Sequence, residues 1–124
     1  MNNLQIAKTK YTAGVLFDAA NGILEIEGSS YPENAFDFFQ PIARWIESYI
    51  AETEKPITFN LRLQYLNTSS SKCLLDILQI LERHLKAGRD VEINWHYLKD
   101  DEDSLETGEE FSHDTELKFN FIPK

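Results

Sequence analysis

A single cysteine, Cys73, stands among 124 residues, so no internal disulfide can form and packing must hold the fold. Basic residues are scarce as well: 12 Lys and Arg face 21 Asp and Glu, a formal charge of −9. That balance argues against the phosphate-neutralising mode of nucleic-acid binding and favours a basic partner surface. Long apolar runs are missing; each is broken by Asp, Gln or Glu well short of a membrane span, and MNNLQIAKTK lacks a signal-peptide core. The expectation is a cytoplasmic protein that contacts neither nucleic acid nor membrane.

Signatures of catalysis and cofactor binding are absent too. His84, His96 and His113 lie far apart, with no second ligand at zinc spacing. Asp100-Asp101-Glu102-Asp103 has the composition of a calcium loop but lacks its turn glycine, and Ser112 occupies the place of the bidentate Glu. The scattered glycines form neither a P-loop nor a dinucleotide fingerprint. No catalytic residue, metal or cofactor is therefore assigned. Cys73 is read as a small packing residue rather than a nucleophile, although a helix start does lower thiol pKa values.

What is present is a clear alternation of periods. Gly14 to Asp18 and Ile23 to Glu27 are strand candidates around Asn21-Gly22, a strong hairpin signal because both residues accept positive φ. Beyond a loop at Gly28 to Pro32, Phe36, Phe39, Ile42, Ala43, Ile46, Tyr49 and Ile50 trace one helical face. Pro41 must kink that helix or open a second segment, and Phe38, out of phase, is the candidate for a surface contact.

Ile57, Phe59, Leu61, Leu63 and Tyr65 alternate as in a strand, and a helix runs from about Ser69 to Ala87 with its stop at Gly88. Val91, Ile93, Trp95 and Tyr97 form another strand, the acidic stretch holds one short helix, and Leu117, Phe119 and Phe121 form a last strand. Strands joined through helices of this length run parallel. Their opposite face shows Thr58, Asn60, Arg62, Gln64, Glu92, Asn94, His96, Lys118 and Asn120, too polar for a sheet covered on both sides. The fold class is therefore α/β: one domain over residues 1–124, in two layers, a mixed β-sheet with helices packed mainly on one face.

The most informative stretch joins the central strand to the second long helix through Asn67-Thr68-Ser69-Ser70-Ser71. Such residues cap helices by accepting from the free N–H groups of the first turn. One cap needs one residue, so hydroxyls are left over at a helix end that favours negative charge. A phosphate would be tolerated there.

YLNTSSSKCLLDIL, together with FDAANGILEIEGSSYPENAFDFFQPIARWIESYI and EINWHYLKDDEDSLETGEEF, resembles the SiaC family of bacterial regulatory phosphoproteins in cyclic-di-GMP and biofilm signalling. The resemblance implies a STAS-like domain that works by partner switching. The unphosphorylated protein binds and stimulates a diguanylate cyclase; a dedicated serine/threonine kinase ends this by phosphorylation; a PP2C-type phosphatase restores it. It also implies that Thr68 is the phosphoacceptor, with Ser69, Ser70 and Ser71 as alternatives, and that Asn67, Thr68, Ser69, Ser70 and Lys72 meet the partner. Two other readings compete: an anti-sigma factor antagonist of the STAS type, and a small enzyme whose residues assemble only in three dimensions. A deep pocket with convergent ionisable groups would mark the enzyme, and an exposed Thr68 on a convex helix start would mark the switch.

Overall fold

A computed structural model describes residues 1–124. In chain order the elements are β1 (Leu4–Ile6), β2 (Gly14–Asp18), β3 (Ile23–Ser30), α1 (Ala35–Glu52), β4 (Ile57–Leu66), α2 (Thr68–Lys86), β5 (Val91–Tyr97), α3 (Glu102–His113) and β6 (Lys118–Pro123). The six strands form one sheet in sequential order. β1, β2 and β3 pair antiparallel, whereas β3 through β6 pair parallel, each step made through a helix.

Register shows how the pleat sorts the two faces. Phe17, Leu24, Phe59, Ile93 and Phe119 lie side by side across five strands on the helix-covered face. One residue along, Leu16, Glu25, Asn60, Asn94 and Asn120 lie side by side on the open face. Leu74, Ile77, Leu78 and Leu81 of α2 and Ile42 and Ile46 of α1 are buried over the apolar row, and full burial of such side chains contributes about 1.5–3 kcal/mol each. The third helix is seated by Trp95, whose Nε1 donates to the Ser104 carbonyl at 3.0 Å and whose ring lies flush on Gly108.

The open face is polar, as its composition suggested, and its amides satisfy one another. Asn60 donates to Glu25 at 3.3 Å, Asn94 to Asn60 at 2.8 Å, and Asn120 to Asn94 at 3.0 Å. Arg62 pairs with the same Glu25 carboxylate at 3.3 Å.

Several boundaries differ from expectation. β1 carries three residues, too few to show a period, and is fixed by pairing with β2. β3 runs on through the expected loop to Ser30, with its register against β4 shifting between Gly28 and Ser29. α1 continues unbroken past Pro41; the proline faces solvent, where water can bond the Asp37 carbonyl that it leaves free. Asp101 caps α3 from its carboxylate, and the helix extends to 12 residues. Phe36 and Phe38 exchange roles: Phe36 is exposed, whereas Phe38 packs edge-to-face on Phe39 with centroids 4.9 Å apart.

The antiparallel β2–β3 hairpin forms as expected across residues 19–22, but its Asn-Gly pair does not adopt positive φ at both residues. Only Gly22 has positive φ, +67°, and the Asp18 carboxylate organises the loop by accepting from the Ala20 and Asn21 backbone N–H groups. A Cβ on Gly22 would lie 2.5 Å from the Pro56 carbonyl oxygen, while Gly88, at φ +92°, has open space around it. Gly88→Ala is therefore expected to lower stability by about 1 kcal/mol, the conformational cost alone. Gly22→Ala should cost roughly 2–3 kcal/mol, and urea unfolding of the two variants measures the gap.

Candidate functional site

The site is built at the carboxyl end of β4, where Asn67 holds both neighbours. Its backbone N–H donates to the Ser30 carbonyl at 3.0 Å and its own carbonyl accepts from the Ser71 N–H at 2.9 Å. Its side-chain oxygen accepts from the Ser70 N–H at 2.8 Å, and its amide nitrogen donates to the Pro32 carbonyl at 3.3 Å. One residue thus ends the strand, caps the helix and ties both to the chain leaving β3. α2 begins at Thr68, one residue earlier than the sequence suggested.

This arrangement sorts the four hydroxyls. Thr68 and Ser69 are exposed and Ser71 is half-buried. Ser70 departs from expectation: it is fully buried and shares a 2.9 Å hydrogen bond with the Ser30 hydroxyl, itself fully buried. Ser70 is therefore withdrawn both as an alternative phosphoacceptor and as a partner contact, because neither a kinase nor a partner reaches it without opening the junction. Its helical phase, two positions from Thr68, points it inward. Lys72 is exposed one half-turn on.

The charge pattern of the helix starts is informative. α1 carries Asp37 in its first turn and α3 carries Glu102 and Asp103, but α2 has no acidic residue there. The position where a helix accepts negative charge is occupied by neutral hydroxyls. A phosphate on Thr68 would supply the missing charge.

Aromatic neighbours flank this junction, among them Tyr65, which its alternation with Leu63 assigns to the buried face but which lies beyond the cover of the helices. Tyr65 is exposed and meets Tyr31 at a centroid distance of 5.9 Å, and Tyr31 meets Tyr11 at 5.5 Å. Their proximity follows from pairing: Ser29 lies beside Tyr65, and the Tyr31 N–H donates to the Tyr11 carbonyl at 2.9 Å.

The remaining candidates are placed elsewhere. Burial, then Asp76, pushes the Cys73 thiol up, with Lys72 opposing, so the thiolate that a nucleophile needs is disfavoured. His84 is buried and donates to the Lys55 carbonyl at 3.1 Å. His96 lies on the open face, its pKa lowered by burial and then by Arg62 and Lys124, with Glu25 opposing. A cleft of about 180 Å³ between β4, β5 and α3 holds one carboxylate, Asp103. Another, of about 210 Å³ on the open face, gathers groups of mixed sign, among them Glu27, Arg62, His96, Asp101 and Lys124.

The model of the SiaC family regulatory phosphoprotein matches residues 6–124. The chain belongs to the SiaC family. It is 40% identical over 119 residues to an uncharacterised protein of Pseudomonas aeruginosa strain UCBPP-PA14, spanning 96% of this chain and 94% of that one. The crystal structure of apo-SiaC from Pseudomonas aeruginosa is similar with a TM-score of 0.91 at 38% identity, over 98% of this chain and 99% of that one. A chain in the crystal structure of diguanylate cyclase SiaD in complex with its activator SiaC, from the same organism, gives 0.94 at 38% identity, with the same coverage. The mixed α/β fold is thus that of solved SiaC structures. No helix is long and apolar enough to cross a membrane.

The junction separates structural from free side chains by stability. Asn67→Ala should cost about 1–2 kcal/mol through the lost cap, and Ser70→Ala about 1 kcal/mol or more through a buried hydroxyl left unpaired on Ser30. Thr68→Ala should stay within about 0.5 kcal/mol of wild type. Denaturant midpoints of the three variants check the order.

Proposed function

We propose that this chain is a phosphorylation-controlled binding protein whose whole length, residues 1–124, works as one cytoplasmic regulatory domain. In its unphosphorylated form it binds and stimulates a diguanylate cyclase. A serine/threonine kinase transfers phosphate to Thr68 and ends that binding, and a PP2C-type phosphatase restores it. Asn67, Thr68, Ser69 and Lys72 form the contact region, with Asn67 acting through the shape that it imposes. The observation that carries this reading is the exposed Thr68 hydroxyl at a capped helix start devoid of acidic residues. Membership of a regulatory phosphoprotein family supports it, as does the relative that stands in complex with a diguanylate cyclase as its activator.

The chemistry works without refolding. A phosphate adds about −1.5 to −2 charges at neutral pH, and the free N–H groups of the first turn, with Lys72, stabilise it locally. The buried Ser30–Ser70 pair and the Asn67 bonds lie behind Thr68 and need not move. In a complex the same group must shed water and fit a surface shaped for a hydroxyl, and the cost of that desolvation falls on binding.

Two outcomes are expected. Thr68→Ala should abolish most labelling by the cognate kinase, whereas Ser69→Ala should leave it largely intact; phosphopeptide mapping reads both. Phosphorylated protein should lose at least tenfold in affinity for the cyclase by calorimetry while its circular dichroism spectrum stays unchanged. Equal affinities, or an unfolded phosphoprotein, would contradict the mechanism. Thr68→Asp, with less charge and another shape, should show only part of the effect.

A further inference from the structure

The open sheet face is satisfied in one row of side chains and left unsatisfied in the next. Glu25, Asn60, Asn94 and Asn120 stand in the row whose groups bond one another. Two residues along, toward the carboxyl ends of the parallel strands, Glu27 lies beside Arg62. His96 follows on β5, one position beyond the Leu61–Trp95 pair. No ladder closes here. The Arg62 guanidinium reaches back to Glu25 at 3.3 Å, and Glu27 turns outward to Lys8 at 3.9 Å, an exposed pair of little strength. The His96 Nδ1 is buried with no hydrogen-bond partner in the protein, which is rare for a buried polar atom.

These three side chains line the cleft of about 210 Å³ on the open face. It lies at the carboxyl ends of the strands, where open α/β sheets bind their ligands. Its volume is that of about seven waters in the liquid, which suits a molecule of about ten heavy atoms or fewer and is too small for a nucleotide. Asp101 and Lys124 add one charge of each sign, and the exposed Leu98 adds an apolar wall. Burial, then Arg62 and Lys124, lowers the His96 pKa, with Glu25 opposing, so the ring is neutral at pH 7 and keeps one N–H to donate.

We propose that this cleft binds a free α-amino acid with a short apolar side chain, its carboxylate on Arg62 and the His96 Nδ1–H, its ammonium on Glu27 and its side chain against Leu98. Charge balance selects a zwitterion. Arg62 and Lys124 offset Glu27 and Asp101, so the cleft has no net charge with which to hold a simple anion. Inorganic phosphate would meet the Glu25, Glu27 and Asp101 carboxylates against only two cations, and like charges at such range repel. An amino acid presents one group of each sign, and each finds its opposite in neighbouring positions of the same row. The site lies on the sheet face away from the helices, and nothing in it depends on Thr68 or its modification.

The test is an NMR titration of the purified protein with L-leucine and L-valine up to about 20 mM, enough to saturate nearly fully a site with a Kd of about 1 mM. The His96 ring and the backbone amides of Arg62 and Leu98 report on occupancy. Isocaproate, which is leucine without its amine, and isoamylamine, which is leucine without its carboxylate, separate the two charges. Leucine or valine should bind with a Kd of about 1 mM or tighter, and each leucine analogue about tenfold more weakly than leucine, the loss of one charge-assisted pair. Arg62→Gln should weaken amino-acid binding about tenfold for the same reason, with circular dichroism reporting on its fold. Lys118→Ala, at an exposed position of the same face, should bind as wild type does.

His96→Phe keeps the test decisive should Arg62→Gln fold poorly. It should weaken amino-acid binding at least threefold while unfolding at the same urea concentration as wild type or a higher one, because an apolar ring replaces a buried nitrogen without a partner. Absence of saturable shifts with both amino acids overturns the proposal. So does isocaproate binding as tightly as leucine, which would make the cleft an anion site, and so does a His96→Phe protein with undiminished affinity.

Discussion

Asn67 is the residue on which the rest depends. Four hydrogen bonds leave it, two from its backbone and two from its side chain, and they reach Ser30, Pro32, Ser70 and Ser71. They fix where β4 stops and where α2 starts, and so which residue stands first on the helix. A cap one position later would turn Thr68 into a strand end and rotate every hydroxyl by about 100° around the helix. With the cap at Asn67, Ser70 points into the core and Thr68 out of it.

This division of labour explains how a charged modification could act here without disturbing the fold. The buried hydroxyl pair and the cap belong to the scaffold, whereas Thr68 has no structural bond to lose. The open sheet face is unsuited to the same role. Its amides already satisfy one another from Glu25 through Asn60 and Asn94 to Asn120, so a partner covering it would gain few new hydrogen bonds and would have to displace existing ones.

Much of this was legible in the sequence because periodicity reports on burial. The alternation from Ile57 to Leu63 and the helical spacing from Leu74 to Leu85 gave β4 and α2 nearly to the residue, and the polar positions between them gave the uncovered face. The junction was visible as a change of period. What escaped was decided by contacts distant in sequence. β1 exists only through its pairing with β2, and Ser70 is buried because Ser30 stands opposite, 40 positions away in sequence. The tyrosine row joins a loop, a strand end and a second strand end, and no period links these. Pro41 opens no second segment, because it lies on the solvent side of α1 and water can replace the hydrogen bond that it removes.

The β4–α2 junction, and not the polar sheet face, is the surface proposed to meet the cyclase. Hydrogen exchange of the unphosphorylated protein, measured free and with saturating cyclase, tests it most directly. Slowed exchange concentrated in residues 65–72 and 31–36, with β5 and β6 unaffected, is the expected result. Protection confined to the strands of the open face, with residues 65–72 exchanging as in the free protein, would contradict it.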